Sequence, residues 1–462
     1  MPRTLFRSLA HPDVDNFVFG RAARPVTTKN GLVIGGGTVY PEVNFTLPSM
    51  MITEETFDEV LTNYREITEG ICQRAEELHV PGFVAEIETL PPMTFTPTWG
   101  VEVTRTVVDV IREHEARTGV RGTVRITPND IREGRELEHM WHGRHWDNIL
   151  ATFEGAAGVG AELLAIESVG GKEVHDEAVM YCDLAKSVFA LSVLGPLDME
   201  RLWTAIVDVA DRTGTIPAGD TACGFANTAM VLAERNYIPK VFAAVVRVIS
   251  AGRSLVAVEC GAQGPHKDCG YEGVYVKAIS GIPISMEGRS SAGAHFSPVG
   301  NIAACAADLW SNESIQNVKL LAGPAPTVAL EQLAYDCRLL NTATARGPEA
   351  ARFLRHLHAD SDSTLDPQAY VLRPDVTVRL AAEIVKAGDD YERGKVAAKA
   401  TLAELRDAHG RGDLALDERE LTWLDNLSYS ADELPETAAE LADSMADSCE
   451  NYDPRKYDLP TK

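Results

Sequence analysis

PLDMERLWTAIVDVADRTGTIPAGDTACG, residues 196–224, contains one whole unit of the predicted fold. Asp198 is a plausible helix N-cap after Pro196, and Leu202, Ile206 and Val209 follow at i, i+4 and i+7. Gly214 then stops the helix, and Thr215–Asp220 reads as a short strand ending in an acid. Val107–Arg117 gives a second helical pattern of the same kind. Further strands are expected at Phe83–Leu90, Thr123–Thr127, Leu163–Ser168, Leu255–Glu259, Ile282–Glu287 and Val318–Leu321. An eighth is expected within 30–46, where LVIGGGTVY follows an Asn30-Gly31 turn. Strands that alternate with helices predict a parallel sheet. A doubly wound sheet would carry a G-x-G-x-x-G loop. Gly35-Gly36-Gly37 lacks its last glycine, Tyr40 standing in that place. The expected fold is therefore α/β, a TIM-type (β/α)8 barrel with additional N- and C-terminal helices. Residues 1–80 form an N-terminal extension packed on it, 81–370 the catalytic barrel, and 371–462 a helical C-terminal region.

The 462 residues are 45% hydrophobic and 24% charged, an ordinary globular composition. The net charge of −25 argues against binding nucleic acid or an anionic membrane. Seven acids and no Lys or Arg lie in 430–450, which reads as a solvated face. No uninterrupted apolar run approaches a membrane span, and the N-terminal residues contain no apolar signal core. A cytoplasmic location is expected, in which the eight cysteines serve as free thiols or metal ligands.

Chemistry in a barrel belongs at the C-terminal ends of its strands. Glu167, Cys223 and Cys269 stand at three such ends. A carboxylate and two thiolates suit zinc and leave one coordination position open. The plainer alternatives are packed thiols and a Glu paired with a neighbouring Lys. Asp220, Asp268 and Glu287 are candidate proton donors on the same rim, and spacing does not choose among them. Lys172, Arg289, His266 and His295 are polar groups on or near it, each suited either to a ligand or to a local ion pair. His139, His142 and His145 sit at i, i+3 and i+6, a helical spacing that cannot turn all three to one ion.

Several long segments at these loops resemble the zinc-dependent methanol:corrinoid methyltransferases. They are AELLAIESVGGKEV (161–174), GTIPAGDTACGFANTAM (214–230), ISAGRSLVAVECGAQGPHKDCGYEGVYVKAISG (249–281), SMEGRSSAGAH (285–295), LWSNES (309–314) and LAYDCRLLNTA (333–343). The likeness runs from FVFGRAARPV to about Tyr370 and weakens in the C-terminal helices. It implies a barrel with one zinc ion per chain, held by Glu167, Cys223 and Cys269. It also implies transfer of the methyl group of methanol to the Co(I) of a corrinoid on a separate corrinoid-binding protein, in one-carbon metabolism related to methanogenesis. A homodimer at the core of a hetero-oligomer goes with that reading. Asp220 or Glu287 would then protonate the departing oxygen. The sequence departs from the family pattern at His266 and at Gly224-Phe225, beside the expected open site. That keeps another small methyl donor in view, such as a methoxylated compound; a separate alternative is a non-catalytic barrel that binds zinc or the corrinoid protein.

Overall fold

Asn30-Gly31 makes the expected turn, with Gly31 at φ 84°. The strands it joins, β1 (Arg21–Thr27) and β2 (Val33–Gly36), form an antiparallel hairpin outside the main sheet. The computed structural model describes residues 3–46, 50–134, 137–267, 269–315, 319–320 and 323–460. The main sheet is built from β3 (Tyr40–Thr46), β4 (Phe83–Glu88), β5 (Gly122–Thr127), β6 (Leu163–Ile166), β7 (Ile216–Asp220), β8 (Ser285–Glu287) and β9 (Leu309–Ile315). All its pairs are parallel, in the order β7-β6-β5-β4-β3-β9-β8. The eighth position is filled by a short irregular segment. Gln263 N donates to Pro217 O (2.7 Å) on one side. On the other, His266 bridges to Ile284 in parallel and its carbonyl accepts from Ser285 N (2.8 Å). The ring is thus closed, as in a (β/α)8 barrel.

Four expectations need correcting. Leu255–Glu259 is not a strand but the last turns of the helix Lys240–Cys260. A helix buried on every side shows the same unbroken apolar run as a buried strand. It packs on Gly195–Thr213 and Asp390–Arg411. By length and composition it could also cross a membrane, with mean hydropathy 1.8, but 94% of that stretch is buried inside the protein. Counting uninterrupted runs missed it because Arg247 and Arg253 break the run; both are buried and bonded to backbone carbonyls of Gln368 and Ser168.

Of Val318–Leu321, only Lys319 and Leu320 lie among the described residues, and they pair with Gly323–Pro324 in a minimal hairpin. The barrel strand is instead LWSNESI, whose polar residues hide it from an apolar-run search. The first barrel strand, β3, lies inside the segment 1–80 that the sequence sets apart as an extension. Asp198 does not cap its helix, which begins at Gly195 after a π-helical turn over Ala190–Leu194. Its buried carboxylate instead grips Arg132 (Nη1–Oδ1 2.7 Å).

Alternation along the strands layers the barrel interior. At the bottom, Leu32 and Ile34 of the hairpin pack against Val84, Leu163, Ala218 and Leu309 and close that end. Above them Arg125 is held by Glu42 (Nε–Oε1 2.6 Å). Glu86 and Glu88 stand two and four residues beyond Val84, which raises the polar wall towards the C-terminal rim. The chain from Pro374 to Ser448 is helical, as expected, and three of its helices are capped by Asp389, Asp417 and Thr437.

Candidate functional site

Glu167 follows β6 directly, and its backbone neighbours are clamped. Ser168 donates through N (3.1 Å) and Oγ (2.6 Å) to Asp220, its carbonyl accepts from Arg253 Nη2 (2.6 Å), and Val169 N donates to Asp130 (3.0 Å). Gly171 then turns at φ 85°, where a Cβ would stand 2.5 Å from Ala190 O. Asp220 also accepts from Trp203 Nε1 (2.9 Å) and lies 3.7 Å from Arg253 Nη1. It is wholly buried, and burial raises its carboxyl above the ordinary range. Its oxygens face the Ser168 loop, so its place is that of a tie.

The two cysteine loops hold each other. Cys223 opens a π-helical turn, Cys223–Asn227, a geometry frequent at functional sites. Ala222 N, just before it, donates to Glu272 Oε1 (2.6 Å), three residues past Cys269. In return, Thr221 Oγ1 accepts from Cys269 N (3.4 Å) and Gly270 N (3.3 Å). Ser254 Oγ completes the grip on Glu272 (2.7 Å).

The ligand atoms of Glu167, Cys223 and Cys269 consequently lie within 4.8 Å of one another. Cys269 Sγ is 3.3 Å from Glu167 Oε1, close to the roughly 3.6 Å that tetrahedral zinc imposes between a sulfur and an oxygen ligand. The Cys269 hydrogen bond favours the Cys223 thiolate, yet burial and the Glu167 and Glu287 carboxylates push that thiol up to about 12. Burial, Cys223 and the same carboxylates raise Cys269 well above the usual thiol range. Two such thiols beside a carboxylate need a cation to become thiolates at neutral pH, so the donor set fits a zinc ion.

Lys267 is the fixed cation here. Its Nζ lies 2.8 Å from Glu86 and 3.3 Å from Glu167, and it also bonds Glu88. Burial raises the Glu88 carboxyl to about 7, with Glu167 and Glu86 adding to the effect against the pull of Lys267. Glu88, Asn129, Asp130, Glu133, Glu167 and Lys172 line a cavity of about 200 Å3 that reaches Glu167. Glu287, at the end of β8, is 4% exposed and acts electrostatically on both thiols. Asp268 lies outside the described residues.

The other polar residues singled out by the sequence separate. Lys172 pairs with Asp176 (2.6 Å) on the cavity wall. Arg289 binds Asp336 on the outer side. His266 is wholly buried beside Glu272 (3.7 Å), beneath the cysteine loops. His295 lies between Glu287 and Glu313. His145 packs on Phe95, away from His139 and His142, whose rings meet at 4.4 Å. The latter two stand before a helix that begins only at Arg144, so the expected helical spacing does not hold. Asp458 joins them within 4.8 Å. His139 Nδ1 accepts from Trp141 N (3.0 Å), which leaves the proton on Nε2, facing Asp458 at 2.8 Å. That tautomer offers no lone pair to an ion. The cluster reads as a hydrogen-bonded staple of the C-terminal segment.

Sequence reasoning missed Glu86, Glu88, Glu272, Thr221 and Glu313. The i, i+2 carboxylates of FVAEIE carried a signal, because a strand that buries both faces has no ordinary use for two acids on one of them.

A family model described as methanol-cobalamin methyltransferase B subunit matches residues 3–458. The methanol–corrinoid protein co-methyltransferase of Methanosarcina barkeri is 37% identical over 450 residues, 96% of this chain and 95% of that protein. The crystal structure of the methanol:cobalamin methyltransferase complex MtaBC from the same organism superposes with a TM-score of 0.93 at 35% identity. That match covers 99% of this chain and all of the matched one.

Proposed function

The chain belongs to the methanol-cobalamin methyltransferase B subunit family, and from that premise we propose that it moves the methyl group of methanol to the Co(I) of a corrinoid carried by a separate protein. It is a methyltransferase. The observation that carries the zinc-dependent form of this reading is the convergence of Glu167, Cys223 and Cys269 from three loops to within 4.8 Å. These residues would hold zinc, which acts on a hydroxyl oxygen as a Lewis acid and so eases loss of a poor leaving group.

The protein's own residues do the rest. The Ser168–Asp220–Arg253 clamp holds the backbone that follows Glu167, and the Thr221/Glu272 clasp holds the two cysteine loops together. Lys267 offsets the negative charge gathered by Glu86, Glu88 and Glu167. The cavity beside Glu167 supports approach from the C-terminal rim, where a corrinoid would have to enter. Glu287 is the proposed proton donor to the departing oxygen, because its buried carboxyl sits beside the thiols and Asp220 is tied elsewhere.

Metal analysis of the purified chain tests the ligand set. Cys223→Ala and Cys269→Ala are expected to lose most of one equivalent of zinc and all methyl transfer, and Glu167→Gln to bind zinc more weakly. Near-normal zinc in either cysteine variant would contradict the assignment.

A further inference from the structure

Methyl transfer from methanol consumes a proton. The C–O bond breaks with its electron pair left on oxygen, and the methyl carbon bonds to cobalt, which passes from Co(I) to Co(III). The oxygen departs as water once it has gained one proton. A buried Glu287 that supplies this proton has to recover one from solvent at every turnover. His295 is placed to deliver it. This side chain follows the short helix Arg289–Ala294, with Nδ1 3.7 Å from Glu287 Oε2 and Nε2 3.7 Å from Glu313 Oε2. Side-chain exposure falls along the row, from 37% at Glu313 through 24% at His295 to 5% at Glu287. The Nδ1 atom is itself buried and makes no hydrogen bond to any described residue. A shift of under about 1 Å brings either gap within hydrogen-bond reach. Other charges bear on the row: Lys267, Glu86 and Glu88 act on Glu313, while Arg289, on the histidine's own helix, is engaged by Asp336.

We propose that His295 is a proton relay, passing the Nδ1 proton to the Glu287 carboxylate as Nε2 takes one up from Glu313 or the water around it. Imidazole suits this work because its two nitrogens exchange protons near neutral pH. The inference rests on the methyl-transfer reading above.

The test is methyl transfer to cob(I)alamin across pH 5.5–8.5 by zinc-loaded wild type, His295→Ala and Glu313→Gln, with and without added imidazole. His295→Ala is expected to keep its zinc, to lose roughly tenfold to a hundredfold in rate and to be partly restored by imidazole in a saturable way, wild type being indifferent to it. Glu313→Gln is expected to lose less. An unchanged rate in His295→Ala, or a loss indifferent to imidazole with zinc intact, overturns the relay alone. Wild type that transfers no methyl group overturns the transfer reading and the relay with it.

Discussion

Asp220 shows how a residue that looks catalytic in a sequence takes a different part in the fold. It ends a barrel strand three residues before Cys223, where an acid catalyst is expected, yet its oxygens are taken by Ser168 and Trp203. The Asp220→Asn variant distinguishes the roles. An amide turns one donor towards another donor and leaves Arg253 without its carboxylate, which costs about 2 kcal/mol of stability. Methyl transfer per bound zinc is expected to stay within a few-fold of wild type. A loss of a thousandfold or more at full zinc occupancy would return Asp220 to the chemistry. Cys269 was reached from Leu255–Glu259, which is helix and not strand, whereas Glu167 and Cys223 follow true barrel strands, and the candidate trio was legible through its shared anionic donor chemistry. The Thr221/Glu272 clasp was not, since a Thr and a Glu whose partners are backbone amides 49 and 50 residues away leave no pattern.

At the scale of the element, the helix Lys172–Tyr181 carries a pH dependence. His175 is fully buried against Phe225, and burial pushes it down to about 3, with the charges of Lys172 and Arg253 adding to the effect. Between the ordinary value near 6.5 and this lowered one, the unfolded chain binds a proton that the folded chain refuses. Stability from this residue is therefore present above pH 6.5 and is lost as pH falls. From pH 7 to pH 5 the loss is about 2 kcal/mol. Denaturant melts at those two pH values are expected to show His175→Leu losing correspondingly less than wild type; equal losses would contradict this. The helix Lys240–Cys260 marks where elements ceased to be legible. Its neighbours cover it on every side, so it shows neither the 3.6-residue nor the two-residue period that separates helix from strand. The last strand, LWSNESI, hides for the opposite reason: the barrel interior it faces is polar near the rim.

At the scale of the whole molecule, the barrel was legible because units of strand and helix repeat and each strand ends in a polar residue. Its closure was not, for the eighth position is held by Gln263–Lys267, a segment with no strand-like run. That irregular closure leads straight into Cys269 and places Lys267 among Glu86, Glu88 and Glu167. The segment that completes the ring thus also supplies the cation that offsets the carboxylates of the site. The central claim is that this site transfers methyl groups with the help of zinc. Its most direct test is anaerobic visible spectroscopy of cob(I)alamin mixed with the zinc-loaded protein and methanol. Decay of the Co(I) band with growth of methylcobalamin is expected, abolished when zinc is removed and regained when it is restored. No methylcobalamin from methanol, with the corrinoid protein also supplied, or the same rate with and without zinc, would contradict it.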